Sequence, residues 1–250
     1  MLFPAAAFFR GSMLAQSALV FVLAVVLPLW DRYEIPRLKA SSDPRKRIRF
    51  YRKIIAVEWI CTAVAFLTVG WDALFTIHTT PGEIDWLSGS KGSSFVMGLV
   101  GAMAVVLVLP VILAIWNPKV REKAAKASER LSYLLPSNAE ERMWWWPAVC
   151  ITAGFCEEVL YRGFLLRYFH NMPFHLSLTW ALVVAAVIFG IGHLYQGVKP
   201  ALATVVLGFA LSCVFVVTGS LLVPIIAHAL LDLRALALLP AGSVPAEKAA

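Results

Sequence analysis

An all-α bundle of about seven transmembrane helices is the fold class this chain predicts, on three observations. Hydrophobic residues make up 60% of its 250 positions. Charged residues make up 15%, against about 25% in an average soluble domain. The mean hydropathy is +0.77. A water-soluble fold of this size could not cover itself with so little charge. Disorder, a nucleic-acid-binding domain and most soluble enzymes are thereby excluded, and the lipid bilayer becomes the first partner.

The spans follow from runs of about 20 apolar residues. Gly11 to Trp30 carries no charge. A basic loop follows it rather than a small-residue cleavage site, so it reads as a retained helix. Ile54 to Trp71 is the second span, with only Glu58 inside. Gly92 to Trp116 is the third and is uncharged. Trp144 to about Arg167 is the fourth and holds two glutamates and Arg162 inside it. Leu176 to Gly197 is the fifth. Pro200 to Ala227 is too long for one straight helix. Thr218-Gly219-Ser220 divides it, giving a sixth span and a seventh that ends near Pro240.

Charge sets the orientation. The segment Asp31 to Lys53 holds nine lysines and arginines, Asn117 to Met143 holds six, and Asp72 to Lys91 holds one. Cytoplasmic loops are the basic ones. The N-terminus is therefore expected outside and the C-terminus inside. The net charge of +7 is explained by this topology. Asn117 to Met143 reads as an amphipathic surface helix interrupted at Pro136, and Trp144-Trp145-Trp146 as an interfacial belt. The chain divides into N-terminal helices and basic loops (1–143), a helical core (144–240) and a flexible tail (241–250).

An ionisable group at mid-bilayer costs about 2.5–3.5 kcal/mol on insertion scales. Several such groups stand out in the later spans: Glu157, Glu158, Arg162, His193, His228 and Asp232. Glu158 and Arg162 are four apart on one helical face, acid before base, and read as a structural pair. Glu157 points about 100° away in an α-helix and is left for chemistry. His228 and Asp232 are also four apart. Glu157 and His228 fall near the centres of their spans, and His193 about 7 Å nearer the cytoplasm by helical rise. Such a set suits water activation, zinc ligation or proton relay. The zinc-protease signature HExxH is absent. His78, His170 and His175 lie near span ends and read as solvated. Cys61, Cys150, Cys156 and Cys213 lie in apolar runs without metal or disulfide spacing. Cys156 reads as an inert thiol.

These residues resemble the CPBP family, which includes CAAX prenyl endopeptidases of the Rce1 type and bacteriocin-processing relatives. The carriers are Glu157-Glu158-x-x-x-Arg162, Phe189-x-x-x-His193 and His228-x-x-x-Asp232, in that order. The flanks Tyr161 to Leu165 and Gly219 to His228 are similar too. The resemblance covers Trp144 to Leu239. It implies an intramembrane endopeptidase acting on a membrane-associated protein or peptide. Glu157 and His193 would activate water, His228 and Asp232 would stabilise the oxyanion, and Glu158 and Arg162 would support them. It implies no required cofactor, with zinc left open. Asparagine in the last position can donate a hydrogen bond to an oxyanion, whereas ionised aspartate cannot. Asp232 is therefore expected either to be protonated or to orient His228. An integral membrane location follows, with the bacterial inner membrane or the endoplasmic reticulum as the two settings. A catalytically silent scaffold or immunity protein is the reading from another class. A proton-coupled carrier is disfavoured because the polar groups occupy one half of the chain, not matching halves.

Overall fold

The protein is described here by a computed structural model covering residues 5–41, 43–79, 83–87, 89–129, 131–171 and 174–238. The expected tail 241–250 and the end of the seventh span at Pro240 lie outside the described residues. Helix α1 (Ala5–Phe21) continues through a wider turn at Val22–Val26 into α2 (Leu27–Lys39). Then come α3 (Pro44–Val69), the short α4 (Trp71–Phe75), α5 (Gly89–Trp116) and α6 (Pro118–Glu129). Helix α7 (Ala139–Trp146) runs without a break into a wide helix, Pro147–Leu165, and on into α8 (Leu166–His170). Helices α9 (Leu178–Gly192), α10 (Val198–Thr218) and α11 (Leu222–Leu238) complete the bundle. The described residues contain no strand, only an isolated antiparallel bridge between Thr76 and Ser220.

The all-α expectation holds. Met13–Lys39, Gly89–Trp116 and Val198–Thr218 are each long and apolar enough to cross a membrane, and Leu178–Gly192 is a shorter apolar helix. The other expected spans coincide with helices that are more polar or shorter. Their boundaries shift for local reasons. The second span begins ten residues early, because Asp43 caps α3 by accepting from the Arg45 amide at 2.9 Å and Pro44 opens its first turn. The fifth helix stops at Gly192, because His193 leaves helical geometry at φ −100°, ψ 6°. The surface helix after Asn117 ends at Glu129 rather than at Pro136. A turn follows, and Asn138 caps α7 through the Glu141 amide at 2.8 Å. The break at Gly219 stands: its φ of +67° closes α10 in the left-handed region that glycine tolerates.

Lipid-facing and buried surfaces separate along the chain. Helix α5 displays Met97, Ile115 and Trp116 at 72%, 72% and 82% exposure. Such a surface suits hydrocarbon, not water. The main core lies where the wide helix meets α9, α10 and α1, and includes Leu160, Phe164, Leu182, Phe189 and Phe215. A second cluster joins the ends of α2 and α3 to α7 through Ile35, Phe50, Tyr51 and Trp145. Here the Tyr51 hydroxyl donates to the Leu134 carbonyl at 2.9 Å, and burial pushes its phenol above the ordinary value. Arg47 pairs with the buried Glu141 at 2.7 Å. Ser137 donates to that carboxylate from both its amide and its hydroxyl.

Candidate active site

The wide helix is the frame of the site. Its winding, with i→i+5 bonds, is usually confined to single turns and recurs at functional sites; here it extends over 19 residues. Each residue of such a helix turns by less than the 100° of an α-helix. Glu157 and Glu158 therefore diverge less than α-helical spacing implies, and both reach α11. The i,i+4 ion pair survives: Arg162 Nη1 lies 2.9 Å from Glu158 Oε1. Both side chains are at most 1% exposed. A pair so completely desolvated holds only with further hydrogen bonds.

Helix α11 supplies one of those bonds. His228 Nδ1 lies 2.7 Å from the same Glu158 oxygen. An ionised carboxylate only accepts, so Nδ1 is the protonated nitrogen of this pair. The opposite nitrogen, Nε2, lies 3.8 Å from Glu157 Oε2 and 3.7 Å from Asp232 Oδ2. Those separations are charge-pair distances, too long for direct hydrogen bonds. The approach of α11 depends on Gly154, where a Cβ would come within 3.3 Å of Ala229, the residue beside His228.

His193 is held differently from the others. Its Nδ1 lies 2.8 Å from the Phe189 carbonyl of its own helix. A carbonyl accepts, so Nδ1 carries the proton, and Nε2 of the neutral ring is left as a lone pair. Among the described residues no ion pair joins His193 to Glu157. The Phe189 ring links the two imidazoles. It meets His193 edge-on at 4.7 Å and His228 at 6.1 Å between centroids. The Arg162 guanidinium lies 4.2 Å from the same ring. Helix α10 reaches this layer at Gly208, where a Cβ would stand 2.9 Å from Phe189.

The structure thus brings Glu157, Glu158, Arg162, His228 and Asp232 into one cluster. His193 flanks it across Phe189. His170, expected in solvent, instead pairs with Glu83 at 3.3 Å and contacts the Leu176 carbonyl. Two further acids belong to the neighbourhood. Glu58 of α3 is within electrostatic reach of Glu157 and Asp232, and Asp31 of α2 is within reach of Glu157. Glu58 was legible as the lone ionisable residue of its span. Asp31 gave no such signal, because it reads as the first residue of a basic loop. Cys156 is fully buried. Among the described residues no three His, Cys, Asp or Glu side chains are gathered in a metal-binding arrangement.

Residues 139–234 match the family model of type II CAAX prenyl endopeptidase, Rce1-like. The matched stretch runs from α7 into α11 and contains every site residue named from the sequence motifs. It leaves out Asp31 and Glu58. No curated protein and no solved structure matches the chain.

Proposed function

Because residues 139–234 match the Rce1-like type II CAAX prenyl endopeptidase model, we propose that the protein is a glutamate-dependent intramembrane endopeptidase. Its substrate is a membrane-associated protein or peptide. One observation carries this reading: Nε2 of a buried histidine faces two carboxylates, Glu157 and Asp232, at 3.8 and 3.7 Å, while its Nδ1 is fixed by a third.

Glu157 is the general base. It takes one proton from water as the water oxygen bonds to the scissile carbonyl carbon. The lone pair on His193 Nε2 helps to orient that water. Negative charge develops on the carbonyl oxygen, and His228 donates to it from Nε2–H. Glu158 holds His228 in the required orientation, and Arg162 holds Glu158. Asp232, 3.7 Å from Nε2, orients the His228 ring. The proton on Glu157 then passes to the leaving nitrogen as the C–N bond breaks. Water is the nucleophile, so the products are a carboxylic acid, which keeps the second water proton until it ionises, and a free amine.

The test compares the termini of membrane proteins in cells expressing wild type or Glu157→Ala at equal levels. New termini found only with wild type support proteolysis and name a substrate. Identical termini, with Glu157→Ala still complementing a deletion phenotype, favour the scaffold reading.

A further inference from the structure

The family match begins at residue 139, yet the site has a wall from the N-terminal half. Helix α3 packs along the wide helix. Its contacts fix which face it turns inward. The Trp59 indole donates to Thr152 at 3.1 Å and stacks on Phe155 at 5.5 Å. Thr62 and Ala65 are both fully buried. Glu58, Thr62 and Ala65 follow the i, i+4, i+7 spacing of one helical face. Glu58 therefore lies on the stripe that faces the wide helix, beside the neighbours of Glu157.

The acceptor inventory of this region is unbalanced. Glu58 Oε2 and Glu157 Oε2 are both buried with no hydrogen-bond partner among the described residues, as is Asp232 Oδ2. Glu58 is within electrostatic reach of Glu157, Asp232 and Asp31. A buried acceptor is costly unless a donor meets it. Two acceptors on opposite helices are matched by a group with two donors on one atom. Water has that form, and water is the nucleophile of the proposed reaction.

We propose that Glu58 is a further positioning residue of the hydrolytic site: the second carboxylate that holds the attacking water for Glu157. This rests on the endopeptidase reading. One O–H of the water points to Glu157, which removes that proton as the water oxygen bonds to the carbonyl carbon. The other O–H stays intact and donates to Glu58. It remains on carbon as the hydroxyl of the tetrahedral intermediate. Glu58 exchanges no proton in this step and acts by orientation alone.

Two measurements test the assignment on the full chain in lipid nanodiscs. The first is kinetic, with a fluorogenic peptide built on a cut site found in the termini comparison. Glu58→Gln keeps shape and volume and replaces one acceptor oxygen with an NH2 donor. It is expected to lower kcat roughly 10- to 100-fold, the order expected for a misplaced reactant, with KM within twofold and an unchanged melting temperature. Glu58→Asp is expected to recover part of kcat. A Glu58→Gln enzyme within twofold of wild type in kcat overturns the proposal. So does a loss that only tracks a fall in melting temperature. The second measurement does not depend on activity. In a background with the four native cysteines replaced by alanine, Glu58→Cys with Glu157→Cys is expected to be bridged by a short bifunctional thiol reagent. Ile60→Cys with Glu157→Cys is not, since Ile60 is 64% exposed on the other face. Failure of the first pair to bridge overturns the juxtaposition. If wild type cleaves nothing in a Glu157-dependent way, the endopeptidase reading falls and this role with it, whatever the bridging result.

Discussion

His228 Nδ1 lies closer to Glu158 Oε1, at 2.7 Å, than Nε2 lies to either Glu157 or Asp232. The second glutamate of the motif is therefore not a partner of Arg162 alone. It links the arginine on the wide helix to the histidine on α11. Losing either end disturbs the other through one oxygen atom.

Arg162→Ala is the variant that exposes this linkage. It leaves Glu158 buried beside His228 without its cation. Removing one partner of a buried pair costs about 3–5 kcal/mol. The expected result is a large drop in the melting temperature of the purified protein, with activity lost even in the folded fraction. A variant as stable as wild type would show that His228 alone neutralises Glu158.

Asp232→Asn separates charge from shape at the far side of His228. The side chain of Asp232 is 24% exposed, and its ring partner stands 3.7 Å away. Asparagine keeps the size and can donate to an oxyanion. The variant is expected to keep substantial activity, within about tenfold of wild type, the scale of one modest polar contact. Near-total loss at every pH would count against an orienting role.

Gly154→Val tests the approach of α11. A Cβ at this position meets Ala229 at 3.3 Å, and the added methyls deepen the overlap. Overpacking of this kind costs about 1–3 kcal/mol. It also moves His228 away from Glu158. Cleavage rate is expected to fall further than the loss of folded protein explains, measured as turnover per folded molecule.

Glu141→Ala addresses stability without the chemistry. Glu141 is fully buried and bound by Arg47 and by Ser137. Its loss leaves charged and polar groups unpaired at the junction of α3 and α7, at a cost of about 3 kcal/mol. The expected outcome is a lower melting temperature with kcat of the folded enzyme near wild type.

Much of this was legible in the sequence because membrane burial makes polar residues conspicuous. Glu157, Glu158, Arg162, His228 and Asp232 stood out as ionisable groups in apolar runs, and they do meet. The Glu158–Arg162 pair followed from α-helical spacing. The bond from His228 to Glu158 did not, because it depends on the wide winding of Pro147–Leu165 and on the contact at Gly154. Neither is encoded in a residue count along one helix. His193 shows the same limit. The family resemblance grouped it with the others, but the end of α9 at Gly192 turns its Nδ1 back onto the Phe189 carbonyl. Helix ends depended on caps at Asp43 and Asn138, whereas hydropathy marks only where charge begins.

The most direct test of the central claim is a double-variant cycle on Glu157 and His228. Cleavage of one identified membrane substrate is measured for wild type, Glu157→Gln, His228→Gln and the double variant, all purified in nanodiscs. Residues that act as one unit give losses that do not multiply. The expected result is a double variant no slower than the worse single variant. Losses that multiply would mean that the two residues work independently, and would contradict a single hydrolytic centre built around His228.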